Sequence, residues 1–424
     1  MLTRREFSKV LGSISTATLF AGTASSETPS ANQQAPDAKQ KCDLLIKGGT
    51  VIDPGQHLHA PLDVAVKDGK ILEISPGIAE DRAAQVVSAK GKIVTPGLVD
   101  VHVHCFDGVG PVGINADRYC LGRGVTTAVD AGSAGYPAIA GFRKYVINTS
   151  TTRIRALVDI GALGTLVGSN TGAMKNLGWL DPQLTAKAAE TNKPDVVGIK
   201  VRLEEDFENG AEDLECLKRA VEAAELSSLP LMVHVLGPYS PLPDILKMLR
   251  KGDIMTHCLN GRKHGILDDS GKILPEVWDA RHRGVLFDTA QGTFNLSFDV
   301  LEKCLKQGFL FDTISTDLSS RAINGPVFDM PTQVSKFMAV GLTIDKAIEL
   351  ATLSPGRMFN YGTEVGTMRP GNEADIAIFD LREGQFEFVD SNKQKRTGSQ
   401  MLVNTAAVRH GQWFVNVINN GGTQ

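Results

Sequence analysis

Two histidines one residue apart close an apolar run, Asp100-Val101-His102-Val103-His104. Side chains at i and i+2 of a β-strand point to the same side, so two imidazoles placed there can converge on one metal ion. Alone, such a pair is a weak signal. Four later apolar runs end in a comparable way: Val197-Gly198-Ile199-Lys200-Val201-Arg202, Met232-Val233-His234, Met255-Thr256-His257 and Ile314-Ser315-Thr316-Asp317. Ligand types or a lysine therefore recur at the ends of strand-like runs. If those runs are strands of one barrel, their ends meet at a single face, where barrels build active sites. The chemistry on offer is metal-assisted, and mixed imidazole and carboxylate donors suit zinc.

The elements that must position these residues follow from the change in hydrophobic period along the chain. From Cys42 to residue 95 short strands alternate with tight turns, and Asp68-Gly69 between Val64-Ala65-Val66 and Ile71-Leu72 predicts a hairpin. After Pro96-Gly97, apolar strands alternate with helical stretches. Eight strands are predicted: Leu98–Val103, Val125–Asp130, Arg155–Ile160, Val196–Val201, Leu231–Val235, Asp253–His257, Val285–Asp288 and Thr313–Thr316. Helices are predicted over Ala211–Ser227, with Leu214, Leu217, Val221 and Leu226 on one stripe, and over Leu242–Arg250, Leu296–Lys306 and Thr332–Val340. Eight strand–helix units at this length match a (β/α)8 TIM barrel. A doubly wound sheet is the alternative, but no glycine-rich dinucleotide fingerprint follows the first strand. Past Pro355 short strands return over Ala374–Phe379, Phe386–Val389, Ala406–Val408 and Trp413–Val417. The expected organisation is an α/β barrel over 96–359, with a small composite β-sandwich domain from 42–95 and 360–424.

Composition narrows the function classes. The 424 residues carry 44 Lys plus Arg against 48 Asp plus Glu, a net charge of −4, with 42% apolar and 22% charged residues. That balance argues against a polybasic nucleic-acid binder and against a disordered chain. The six Cys, at 42, 105, 120, 216, 258 and 304, form no CxxC pair, so neither a zinc knuckle nor a thioredoxin motif is expected. Residues 1–24 pair Arg4-Arg5 with a short, mildly apolar run, as in a twin-arginine export signal. Residues 25–41 read as a flexible linker. The expected location is periplasmic or otherwise extracytoplasmic, with no membrane insertion after signal removal.

The stretch Val94-Thr95-Pro96-Gly97-Leu98-Val99-Asp100-Val101-His102-Val103-His104, with the Gly-Ile-Lys-Val-Arg, Met-Val-His-Val, Thr-His-Cys-Leu-Asn-Gly and Ser-Thr-Asp-Leu runs, resembles the amidohydrolase superfamily. Within it the chain is similar to the amidohydrolase/deacetylase branch, near dihydroorotases. The resemblance implies two divalent metal ions, zinc being the expected metal. His102, His104 and Asp317 would hold the first, His234 and His257 the second, and Lys200, carboxylated to N6-carboxylysine, would bridge them. A bridging hydroxide would then attack the acyl carbonyl of a small N-acyl or O-acyl carboxylate, with Asp317 as proton shuttle. Dihydroorotases and hydantoinases commonly continue the HxH with an arginine that holds a substrate carboxylate; here Phe106 stands there. Arg202, Asn260 and Arg321 are the candidate substrate contacts. A cyclic-amide hydrolase or deaminase on the same site is the alternative, and a catalytically inactive exported binding protein is the reading from another class. Homo-oligomers are common for such barrels.

Overall fold

The computed structural model describes residues 40–167, 174–205, 212–359 and 365–416. The signal read over 1–24 and nearly all of the linker lie outside the described residues.

Strands from both ends of the chain share one sheet. β1 (Cys42–Asp53), β2 (Leu58–Lys67), β3 (Lys70–Ser75), β4 (Ala83–Ser88) and β5 (Ile93–Pro96) come from the N-terminal side. β13 (Ile376–Val389), β14 (Lys395–Arg409) and β15 (Gln412–Val415) come from the C-terminal side. Their order is β15-β14-β13-β5-β1-β2-β3, with β4 also on β1. The Asp68-Gly69 hairpin forms between β2 and β3, both turn residues having positive φ. β1 serves two parallel neighbours in turn: residues 42–47 pair with β4, and Thr50 and Val51 with β5. The change of partner falls at Gly48-Gly49. Gly48 has φ +74, and a Cβ on Gly49 would lie 2.5 Å from a Val94 methyl. The two short strands expected over 374–389 are one continuous β13, which a register shift at Glu383/Phe386 bends without breaking.

The second sheet is parallel and curled. It runs β6 (Leu98–Val103), β7 (Val125–Gly135), β8 (Arg153–Asp159), β9 (Val196–Leu203), β10 (Leu231–Val235), β11 (Ile254–Thr256) and β12 (Leu286–Phe287) in sequence order. β6 is buried along its whole length, as expected for a strand covered on both faces. One apolar cluster takes a residue from each of the six strands β6–β11, including Val101, Val129, Leu157 and Met232. Burying each such side chain is worth about 1.5–3 kcal/mol.

The eighth position differs from expectation. Residues 313–318 form no ladder and make only single bridges, Thr313 to Asp288 on one side and Leu318 to Val103 on the other. Side chains add to the backbone bonds that close it, among them Asp317 N–H to His102 O at 2.7 Å and His104 N–H to Leu318 O at 2.9 Å. Thr313 Oγ1 and Ser315 Oγ donate to Asp288 Oδ1 at 2.6 and 2.7 Å. On the other side Thr316 Oγ1 donates to Asp100 Oδ2 at 2.5 Å. Two buried carboxylates thus clamp the segment that ends in Asp317. Burial pushes the Asp100 carboxyl up to about 7.

Two of the surrounding helices begin within two residues of the expected places, where caps define their starts. Ser297 caps Phe298–Lys306, and Asp329 caps Met330–Ala339 with Pro331 in the first turn. The helix Asp213–Ser227 buries Cys216, Leu217, Ala220, Ala223 and Ala224. Leu226, expected on that stripe, is 56% exposed, because the true buried face runs through the small alanines.

Candidate metal centre

The five strand-end residues singled out by spacing converge with His104 at the C-terminal end of the curled sheet. Ring centroids lie 5.7 Å apart for His102 and His104, 4.9 Å for His102 and His257, and 4.4 Å for His234 and His257. Lys200, from β9, is 1% exposed, and its Nζ lies 3.2 Å from His102 Nε2. Asp317 Oδ1 lies 3.3 Å from His104 Nε2 and 3.6 Å from His102 Nε2.

Three rings are anchored through Nδ1. His102 Nδ1 meets Thr256 Oγ1 at 2.9 Å, His104 Nδ1 meets Ser133 Oγ at 3.0 Å, and His257 Nδ1 donates to Ala290 O at 2.7 Å. That leaves Nε2 facing the centre. The Nε2 atoms of His234 and His257 are buried without hydrogen-bond partners. His234 Nε2 does approach Glu204 Oε2 at 3.4 Å, but without hydrogen-bond geometry. Burial first, then Lys200, holds His102 and His234 well below the usual imidazole value. Burial and then His234 do the same for His257. Neutral imidazole is the ligating form.

These residues fit a metal ion. Two ligands roughly 2.0–2.2 Å from zinc in tetrahedral geometry lie roughly 3.3–3.6 Å apart, which is the spacing of Asp317 Oδ1 from the two HxH rings. Donor atoms of His102, His257 and Asp317 all fall within 4.8 Å of one another. Burial also lowers the Lys200 amine to about 8, against the opposing pull of Asp317. A neutral amine is the form that takes up carbon dioxide.

Backbone strain marks two of the candidate ligands. His257 has φ 62 and Asp317 has φ 53. Each such residue costs on the order of 1–3 kcal/mol and persists where surrounding bonds impose it. Asp317 is held by its own N–H donating to His102 O at 2.7 Å and by Asn295 Nδ2 donating to its Oδ2 at 2.9 Å. A Cβ on Gly292, which has φ +50, would lie 2.1 Å from that Oδ2. Gly292→Ala should therefore displace the carboxylate and lower kcat by about 10²-fold, the cost of a misplacement near 1 Å. Steady-state kinetics with a thermal melt checks this; an unchanged kcat would remove the role given to Gly292.

The candidate substrate contacts are placed as follows. Arg202 is buried beside the centre, pairing with Asp159 Oδ2 at 2.9 Å and donating to Gly164 O at 3.0 Å. It braces the loop after β8. Asn260 is 2% exposed and spends its amide on Val235 O and His257 O, while its oxygen accepts from Arg262 N. It shapes the backbone around His257 and does not present a carbonyl-binding edge. Arg321 is exposed on the turn after Leu318. Phe106 is buried against Phe142, with ring centroids 4.8 Å apart.

Sequence reading missed Glu204, which burial pushes up to about 7, and the anchors Ser133, Thr256 and Asn295. For Glu204 a signal existed: it continues the period-2 face of Lys200 and Arg202.

The profile of the amidohydrolase family matches residues 93–403. A protein named deacetylase from Enterococcus faecalis is 32% identical over 378 residues, covering 88% of this chain and 99% of its own length. Another of that name from Brucella anthropi is 32% identical over 338 residues, covering 80% and 84%. A solved structure titled as an adenine deaminase has a TM-score of 0.82 at 31% identity, covering 88% of this chain and 100% of that chain. One titled as a dihydroorotase has a TM-score of 0.80 at 27% identity, covering 88% and 99%. Fold neighbours of this kind imply a (β/α)8 barrel for the curled sheet.

Proposed function

The chain belongs to the amidohydrolase family, whose members are generally metal-dependent hydrolases, and from that premise we propose a binuclear deacylase that cleaves the acyl C–N or C–O bond of a small N-acyl or O-acyl carboxylate. The observation that carries this reading is the set of imidazoles anchored at Nδ1, with Nε2 aimed at one centre that also holds Lys200 and Asp317. His102, His104 and Asp317 would hold one zinc ion, His234 and His257 a second, with carboxylated Lys200 between them. When bound, the ions would polarise the acyl carbonyl and acidify water. Asp317 supplies the proton transfers. Asn295 occupies its Oδ2, so Oδ1 takes the proton from the attacking water and passes it to the leaving nitrogen or oxygen. Of the candidate substrate contacts, Arg321 is the one open to solvent, and it would meet a substrate carboxylate.

The name deacetylase, carried by relatives aligned over most of this chain, supports the acyl reading. Phe106, packed in the core, offers no charge to a ring carboxylate, which disfavours a dihydroorotase-like reaction. Deamination is the second reading, favoured by the likeness to a structure titled adenine deaminase. The test is a panel of N-acetylated D- and L-amino acids, O-acetyl hydroxy acids, cyclic amides and aminopurines, offered to zinc-loaded protein. Acetate release is expected. Ammonia release, or ring opening without a second product, would replace the deacylase reading. Protein that takes up no metal would favour the inactive binding protein.

We also propose export by the twin-arginine route and a mature start near Ser25, with homo-oligomers in solution. No helix among the described residues is long and apolar enough to cross a membrane. All six Cys are buried free thiols, and burial pushes Cys304 up to about 12. Such thiols are inert in an oxidising compartment.

A further inference from the structure

We propose that Thr256 and Asp288 form a hydroxyl–carboxylate relay that locks the tautomer and ring plane of His102, and so sets the affinity of the first metal position. The inference rests on reading His102 as a metal ligand.

The chain of contacts is short and buried. His102 Nδ1 lies 2.9 Å from Thr256 Oγ1, and Thr256 Oγ1 donates to Asp288 Oδ2 at 2.7 Å. The direct distance from His102 Nδ1 to Asp288 Oδ2 is 3.7 Å, too long for a hydrogen bond, so the hydroxyl is the necessary link. All three residues are at most 1% exposed.

Proton counting fixes the direction. Three hydroxyls, from Thr256, Thr313 and Ser315, converge on Asp288, which accepts from all of them. A hydroxyl has one proton, and that of Thr256 goes to the carboxylate. Its oxygen can then only accept from His102, so the ring proton sits on Nδ1. A neutral imidazole has one N–H, and Nε2 keeps its lone pair facing Asp317 and Lys200. Remove the hydroxyl and no hydrogen bond holds the proton on Nδ1, because Asp288 Oδ2 lies 3.7 Å away. The proton is then free to sit on either nitrogen, with Asp317 Oδ1 at a similar 3.6 Å from Nε2, and whenever it sits on Nε2 the lone pair is lost to the metal.

The other anchored rings are built differently. His257 donates to a backbone carbonyl, Ala290 O, which no side-chain substitution removes. His104 meets Ser133, with no carboxylate bonded to that hydroxyl among the described contacts. Only the His102 anchor among these three ends in a buried acid. That acid is also the residue that closes β12 onto the eighth segment, so metal affinity and closure of the sheet depend on the same group.

The experiment uses Thr256→Val, which keeps the shape and removes the hydroxyl, and Thr256→Ser, which restores it. Zinc affinity of the full chain is measured by competition with a chromophoric chelator. Loss of an outer partner to a ligating histidine typically weakens metal binding by about 10–100-fold. The Val variant should show that loss for one zinc ion, and the Ser variant should stay near wild type. The metal-free proteins give an independent readout: long-range proton–nitrogen NMR of the imidazoles should show His102 protonated at Nδ1 in wild type and the Ser variant, and at Nε2 or mixed in the Val variant. Asp288→Asn is the second probe should the Val variant fold poorly. Its amide can donate to Thr256, turning the hydroxyl proton toward His102 and driving the ring proton to Nε2. Unchanged zinc affinity and an unchanged tautomer in a folded Val or Asn variant would overturn the relay, as would a Ser variant as weak as Val. Wild-type protein that binds no zinc but shows the Nδ1 tautomer would instead overturn the metal reading and leave the relay standing.

Discussion

Lys200→Ala should lose at least one metal ion and nearly all turnover, and short carboxylic acids should restore part of both. Lys200 is fully buried among four imidazoles, with its Nζ against His102 Nε2 and Met232 Sδ at 3.2 and 3.7 Å. A permanent ammonium there would be costly twice over. It is out of water, and it would repel any cation held by the histidines. The first of these costs already lowers its amine to about 8. Carboxylation turns the same side chain into an anion with two oxygens, which reverses the repulsion and gives the buried charge the ions as partners. The alanine variant leaves a space at the end of β9 into which formate or acetate could settle. Metal content per chain and kcat, each with and without added formate or acetate, check the prediction. A variant with full metal content and wild-type rate would show that Lys200 is only a buried core amine.

The part of this site that was legible in the sequence is the part carried by strand ends. His102, His104, Lys200, His234 and His257 each follow an apolar run of the right length, and a curled parallel sheet leaves those ends nowhere else to go. Asp317 was legible for a different reason. Its segment has apolar spacing, but the structure gives it no ladder, and what places it is the pair of clamps from Asp100 and Asp288 together with its own N–H donating to His102 O. Those clamps, and the hydroxyl on His102, are single contacts between residues far apart in sequence; His102 and Thr256 are separated by 154 positions. A serine or threonine at the end of a strand carries no period and no charge to announce its partner. The same limit explains Asn260. Its position in the loop after β11 suggested a substrate contact, but a buried amide must satisfy its own donors first, and two backbone carbonyls were nearer. Leu226 failed for the opposite reason, since a helix packed through alanines hides its buried face from a search for large apolar residues.

Asp317→Asn should keep much of its metal and lose turnover by about 10²–10⁴-fold, the usual share of general acid–base catalysis. The two consequences separate because the residue would hold two roles through one oxygen. In the proposed site four histidines and a carboxylated Lys200 would remain to hold the ions, and a neutral amide oxygen could still coordinate weakly. Proton transfer has no such reserve. Asn295 Nδ2 donates to Oδ2, so the substituted amide is pressed to turn its oxygen toward Asn295 and its NH2 toward His102 and His104. In the reverse orientation its oxygen faces the histidines, but an amide oxygen is far too weak a base to take a proton from water. Neither orientation gives a group that can carry the proton to the leaving atom. KM should change little, because the carboxylate acts on the reacting atoms and not on the remote part of the substrate. Metal analysis alongside kcat and KM at neutral pH decides the matter: a folded, metal-loaded Asn variant with near wild-type kcat would exclude Asp317 as the proton carrier and return that role to another group near the centre, with Glu204, 3.4 Å from His234 Nε2, the first to examine.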